Sequence, residues 1–291
     1  MSVNSVYQIV TDRIVAELEK GVVPWRKPWA GLRSGAYSHS TGKPYSLLNQ
    51  MLLGRPGEYI TFNQCKAEGG TIRKGEKASY VVFWKQQRVK ETDSATGEEV
   101  ERLYPILRYF NVWHIDQCEG IKEKYHQQPT EGAQVLQSAE DVVRDYTTRE
   151  GVKVVYTAGD RACYSPALDR VTMPLREQFT DTAELYSTLF HELGHSTGHK
   201  TRLNRFTSGA GAAAFGSGDY GREELVAEIT AATILNTCGI ETPSSFTNSA
   251  AYIDSWIKAI KGDNRLIVGA AGKAEKAVSL ILGDRPQGVT A

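Results

Sequence analysis

Asp181-Thr-Ala-Glu-Leu-Tyr-Ser-Thr-Leu-Phe-His191-Glu192-Leu193-Gly194-His195-Ser-Thr-Gly198 is the stretch on which the reading of this chain turns. Asp181 predicts a helix N-cap with Glu184 three residues on as its back-bonding partner, and Gly198 predicts the stop. Leu185, Leu189 and Leu193 recur every four residues and would seat the helix on a core, leaving His191 and His195 on a neighbouring stripe. Four residues apart, the two imidazoles project about one turn from each other and can reach a single Zn2+, with Glu192 beside the water such an ion activates. H-E-x-x-H on a helix is a zinc-hydrolase pattern. The competing structural reading is a buried helix whose histidines are only hydrogen-bonded.

Two histidines and a water leave a tetrahedral site one protein ligand short. The continuation H-x-x-G-x-x-H fails here, because Gly198 is in place but Thr201 stands where the last histidine would be. His199 extends the four-residue series, yet it lies beyond Gly198 and would point away from the metal. The segment Arg222-Glu-Glu-Leu-Val-Ala-Glu-Ile-Thr-Ala-Ala232 offers Glu224 and Glu228, also four apart and among apolar neighbours. One carboxylate can ligate while the other accepts a hydrogen bond from a ligand histidine. Glu223 reads instead as a solvated acid at a helix start, favoured by the helix dipole.

At 291 residues the chain suits two domains of about 130 to 160 residues, each burying its own core. No run of about 18 apolar residues occurs and the N-terminus lacks a basic-then-apolar leader pattern, so the expectation is a cytoplasmic protein with no membrane partner. Cys65, Cys118, Cys163 and Cys238 are widely spaced without C-x-x-C, as expected of reduced thiols. The net charge of zero hides an asymmetry: residues 21–90 hold 12 Lys/Arg against 3 Glu. One sign concentrated over a folded stretch is the footprint of a polyanion partner.

Residues 7–20 have helical apolar spacing. Pro24-Trp-Arg-Lys-Pro-Trp29 then interleaves two prolines, two tryptophans and two cations and cannot be a regular helix. It is either a tryptophan-anchored loop or a stacking surface for single-stranded nucleic acid. Lys43 and Tyr45 follow in a loop-rich stretch, and a short helix is predicted through Leu47 to Leu52. Gly69-Gly70 begins a turn presenting Arg73, Lys74 and Lys77 to solvent. Ser79 to Val89, which carries Trp84 and Lys85, and Leu103 to Ile115 predict a hairpin with an acidic tip, Pro105 marking an edge or bulge. The polar stretch ending at Gly132 is the predicted domain boundary. Beyond it come a helix through Ala139 to Tyr146 and strands at 153–157, 163–165 and 170–174, leaving an edge where an extended peptide could pair. The Gly/Ala-rich residues 207–218 read as a connector or a lid, and two helices through 250–261 and 270–282 close the chain.

Pro24–Trp29, Thr61-Phe-Asn-Gln64, Gly69-Gly-Thr-Ile-Arg-Lys-Gly-Glu-Lys77, His191–His195, Glu223-Glu-Leu-Val-Ala-Glu228 and Ala251-Tyr-Ile-Asp-Ser-Trp256 together resemble the ArdC family of plasmid antirestriction proteins. The resemblance runs over essentially the whole chain. It implies an α+β protein of two domains: a single-stranded DNA-binding domain with an antiparallel sheet at 1–125, a linker at 126–132, and a mainly helical zincin-like metallopeptidase domain with a small sheet at 133–291. By analogy with zincins, the implied metal ligands are His191, His195 and Glu224, with Glu192 as general base and Glu228 or His199 as a supporting or alternative ligand. Zn2+ is the expected ion, with Mn2+ or Co2+ as other divalent occupants. The implied DNA-binding set is Trp25, Arg26, Lys27, Trp29, Lys43, Tyr45, Arg73, Lys74, Lys77, Trp84 and Lys85. Implied partners are single-stranded DNA, and a host restriction component or the protein itself as peptidase substrate; such a protein can also travel with plasmid DNA into a recipient cell. The rival reading is a coating protein whose metal domain is inert or regulatory.

Overall fold

The structure, a computed structural model, describes residues 3–26, 35–92, 99–125, 132–179, 181–206, 218–241 and 250–283. Lys27, Trp29, the acidic hairpin tip at 93–98, residues 126–131 of the expected linker and the Gly/Ala-rich 207–217 lie outside them. Among the described residues no helix is long and apolar enough to cross a membrane.

The fold is α+β. Helix α1 (Val3–Leu18) leads into a 3-10 turn at Pro24–Arg26, followed by β1 (Ala36–Ser38), α2 (Leu47–Leu53), β2 (Gly57–Ile60), α3 (Phe62–Ala67) and β3 (Thr71–Ile72). The long strands β4 (Ser79–Thr92) and β5 (Glu99–His114) form the predicted hairpin, and β6 (Cys118–Glu119) pairs back onto β3. The main N-terminal sheet has the order β1-β2-β5-β4. It is antiparallel except at its edge, where β1 runs parallel to β2. Gln86 faces Pro105 without a break in register, so the proline introduces no bulge. Local chemistry explains the helix starts: Thr61 caps α3 in a capping box with Gln64, and the Ser46 hydroxyl caps α2.

The second half begins with α4 (Gly132–Glu150) and strands β7 (Lys153–Thr157), β8 (Cys163–Ser165) and β9 (Arg170–Pro174) in the order β7-β9-β8. Helices α5 (Thr182–Ser196), α6 (Gly218–Thr237), α7 (Ala250–Gly262) and α8 (Leu266–Leu282) follow. Each half buries apolar clusters of its own, and a further core is shared between them. The largest core joins Val10, Ile14, Leu18 and Trp25 with Leu225, Ile229, Trp256, Ile267 and Ala271. A second core lies under α5, with Tyr146, Leu189, Phe190 and Leu193 against Ile234, Leu235 and Val278. Helices α6 and α8 contribute to both cores, so these two helices help join the two halves. The apolar stripes of α6 are Leu225, Val226 and Ile229 on one side and Ile234 and Leu235 on the other, too broad for a one-sided surface helix.

Candidate metal centre and nucleic-acid interface

Helix α5 is capped by Asp181, whose Oδ1 accepts from the Glu184 N–H at 2.7 Å. It ends at Ser196 with Thr197 as C-cap, and Gly198 is not left-handed. What Gly198 provides is room, because a Cβ there would lie 2.7 Å from the Phe206 ring. Gly194 has a similar role between helices: a Cβ would lie 3.2 Å from Ala227 Cα and 3.4 Å from Ala227 O. Leaving it out lets α6 approach α5 closely and carries Glu224 to the histidines.

His191 Nε2 and His195 Nε2 are 3.1 Å apart, and the two oxygens of Glu224 lie 3.4 Å from one or the other. A tetrahedral site with bonds of about 2.0–2.1 Å has edges of about 3.3 Å, so the His–His edge already matches such a site and a small turn of the Glu224 carboxylate, now split between the two rings, would complete it. His191, His195 and Glu224 are the group of possible metal donors that the described residues bring together. His199 is not part of it; it lies in the turn after α5, with Nδ1 2.8 Å from Thr201 Oγ1.

The far side of each imidazole faces a carboxylate. His195 Nδ1 is 3.6 Å from Glu223 and His191 Nδ1 is 3.9 Å from Glu228. An arginine holds each carboxylate: Arg205 lies on Glu223 at 2.5 Å, and Arg26 donates from Nε to Glu228 Oε1 at 3.0 Å and also from Nη2. Glu223 is therefore not the solvated helix-start acid its sequence position suggests. Neither Arg205 nor Arg26 was legible as part of the site, since their partners lie 18 and 202 residues away. Burial opposes charging His195, but the carboxylates of Glu223 and Glu224 outweigh it and lift its pKa to about 10. Burial likewise opposes ionisation of Glu223 and Glu224, yet the histidines, with Arg205 on Glu223, hold both below the usual carboxylate range. Glu192, buried, stands beside them. Four glutamates and two arginines leave two uncompensated negative charges when both imidazoles are neutral, the charge one divalent cation would balance. The donor set, oxygen and imidazole nitrogen without thiolate, suits Zn2+ or Mn2+.

The sequence-derived DNA-binding residues separate into groups. Lys43, Arg73, Lys74, Lys77, Trp84 and Lys85 are exposed, with Trp84 57% accessible. Trp25 is not a surface platform: it is fully buried, with its ring centroid 5.2 Å from that of Trp256. Tyr45 is also buried, edge-on to Tyr59, and Arg26 is taken up by Glu228. The hairpin also carries exposed aromatic and basic residues that sequence reading passed over. Phe83 is opposite Arg108, and Val81 is opposite Phe110, so Phe83, Lys85, Arg108 and Phe110 share one face of the hairpin. The two phenylalanines are 45% and 43% accessible and their rings are 6.0 Å apart. The alternation Phe83-x-Lys85 and Arg108-x-Phe110 could have shown this once the register was known. A groove of about 550 Å3 runs along β5 here, lined by Val6, Gln87, Arg108, Phe110 and Asn111, well removed in the chain from the metal donors.

Comparison with known proteins gives these features a family. Residues 4–113 match the N-terminal domain of anti-restriction factor ArdC, and residues 141–273 match a zincin-like metallopeptidase. Two DNA primases TraC of Escherichia coli are each 32% identical over 95% of this chain, which spans only 20% and 27% of their lengths. The uncharacterized protein y4eC of Sinorhizobium fredii is 31% identical over 93% of this chain and 89% of its own. Two crystal structures of the antirestriction ArdC protein from plasmid R388 are similar throughout. The metal-free one has a TM-score of 0.72 at 35% identity, covering 96% of this chain and 97% of that one. The Mn(II)-bound one has a TM-score of 0.73 at 33% identity, covering 97% and 98%. Whole-length similarity of sequence and fold, with both halves matched in order, makes this chain a member of the ArdC family of antirestriction proteins, with a zincin-like domain at its C-terminal end.

Proposed function

We propose that this protein binds single-stranded DNA entering a cell and carries a divalent-metal peptidase site, the two together protecting plasmid DNA from restriction. The observation that carries the peptidase half is the convergence of His191, His195 and Glu224, one donor atom of each lying within 4.8 Å of the others and the two imidazole nitrogens 3.1 Å apart. Zn2+ or Mn2+ is the proposed occupant; the R388 relative has been crystallised with Mn(II). When bound, such an ion supplies Lewis acidity for amide hydrolysis. Glu192, one residue after the first donor, takes the proton of the attacking water and delivers it to the leaving amine. Glu223 and Glu228 keep the imidazoles turned with Nε2 toward the metal. The outer strands β7 and β8 of the small sheet are where an extended peptide, from a restriction component or from this protein itself, would pair.

The DNA half rests on the hairpin face. Phe83 and Phe110 give stacking surfaces, and Lys85 and Arg108 beside them meet phosphates, a combination tolerant of base sequence. Lys74 and Lys77 extend the basic surface. That two relatives are named DNA primases agrees with a DNA-handling setting. The test compares wild type with Glu192→Gln for protection of transferred DNA and for cleavage of the protein and of restriction components. Loss of both with metal still bound supports a peptidase. Full protection by the variant overturns the catalytic reading and leaves coating of the strand as the mechanism.

A further inference from the structure

The segment that composition marks for nucleic acid, Pro24-Trp25-Arg26, does something else in the fold. Pro24 and Trp25 are buried, and Trp25 packs edge-on against Trp256 of α7. This fixes the backbone of Arg26 against α6, where both Nε and Nη2 converge on one oxygen of Glu228, Oε1. Each side chain of the pair is about one-tenth exposed, at 10% and 9%. The other oxygen, Oε2, faces His191 Nδ1 at 3.9 Å. That Nδ1 is buried and has no hydrogen-bond partner among the described residues. A metal-ligating imidazole ordinarily donates its second N–H to a carboxylate, which fixes the ring's orientation. Glu228 is the carboxylate aimed at this atom, and Arg26 sets which oxygen it turns there.

We propose that Arg26 is a positioning residue for the metal centre: by occupying Oε1 of Glu228 it presents Oε2 to His191 Nδ1 and orients the ring whose Nε2 faces the ion. On the opposite imidazole, Arg205 holds Glu223 by both carboxylate oxygens, and from within the same half of the chain. One of the two supports of the metal site thus comes from the N-terminal half, 202 residues away in sequence. The zincin-like half without residues 24–26 keeps its three donors and loses this support. The inference rests on the reading of His191, His195 and Glu224 as metal ligands.

The test is Mn2+ affinity of the full-length, metal-stripped protein by calorimetry. Arg26→Gln and Glu228→Gln should each lower affinity about 10- to 100-fold, the range for loss of such a supporting group. Both guanidinium nitrogens reach a single oxygen, so one ammonium can replace them, and Arg26→Lys should recover most of the loss. In a Glu228→Gln background, Arg26→Gln should add less than about threefold, because the two act as one unit. That double variant leaves no unpaired buried charge and keeps the test sound where Arg26→Gln alone fails to fold. His191→Ala is the control for the ligand set. If it abolishes binding while Arg26→Gln or the double variant binds as wild type, the positioning role is overturned and the metal site stands. If His191→Ala binds as wild type, the ligand assignment itself is wrong. Losses at Arg26 and Glu228 that simply multiply, with no recovery by lysine, would reduce Arg26 to a packing residue and also overturn the proposal.

Discussion

Alanine at Gly194 should damage the metal site more than the fold. The new Cβ would stand 3.2 Å from Ala227 Cα, where carbon atoms prefer about 3.5–4.0 Å, so α6 must retreat by about 0.5 Å. Overpacking of this kind costs about 1–3 kcal/mol, while replacing a mid-helix glycine returns about 0.5–1 kcal/mol. The metal-free protein should therefore lose between nothing and about 2.5 kcal/mol. Metal sites tolerate about 0.2 Å in their distances, and Glu224 rides on the helix that moves, so affinity should fall at least about tenfold. In urea unfolding with and without saturating Mn2+, a tenfold loss removes about 1.4 kcal/mol of the metal-linked stabilisation. Gly272→Ala, in α8 with nothing within 4 Å of a new Cβ, is the control and should stabilise by about 0.5–1 kcal/mol with the metal increment intact. The reasoning fails if Gly194→Ala behaves like Gly272→Ala.

In the metal-free protein His195 is held charged up to about pH 10, so an ion binding at pH 7 must displace its proton. Affinity should rise up to about tenfold per pH unit from 7 toward 10, with about one proton released from this group in calorimetry across buffers; a flat profile would deny the competition. The same shift has an opposite sign for stability without metal. The folded pKa exceeds the unfolded value of about 6.5, so this contribution is complete below that value and is lost as pH rises through about 10. Trp25→Ala should cost about 3–5 kcal/mol in denaturant unfolding; unchanged stability with lost DNA binding would return Trp25 to a surface role. Phe83→Ala and Phe110→Ala should each weaken single-stranded DNA binding by about 1–3 kcal/mol in fluorescence anisotropy, and Arg108→Gln should reduce the salt slope by about one. Indifference of all three would remove the hairpin face from the interface.

The helix bearing His191 and His195, its cap at Asp181 and the long hairpin were legible because each depends on local chemistry: spacing, a capping side chain, alternation between turn signals. Glu224 was legible as one of a pair of candidates, since its spacing to Glu228 marks a face but not which end of that face meets the histidines. The choice depends on how closely α6 approaches α5, which Gly194 decides and periodicity does not express. Trp25 and Arg26 were misplaced for a related reason. A tryptophan beside cations has the composition of a stacking surface whether or not a distant helix covers it, and here Trp256 and Glu228 do. Glu223 was read as solvated because the arginine that takes it up, Arg205, arrives from a turn beyond the helix. Pairings across 18 to 202 residues leave no periodic trace.

The central claim is that His191, His195 and Glu224 hold one divalent cation. Mn2+ titration by calorimetry of wild type, Glu224→Gln and His199→Ala, on the same metal-stripped preparation, tests it directly. One equivalent should bind wild type and His199→Ala alike, and Glu224→Gln should lose at least about 100-fold in affinity. Full binding by Glu224→Gln, or loss of binding by His199→Ala, would contradict the account.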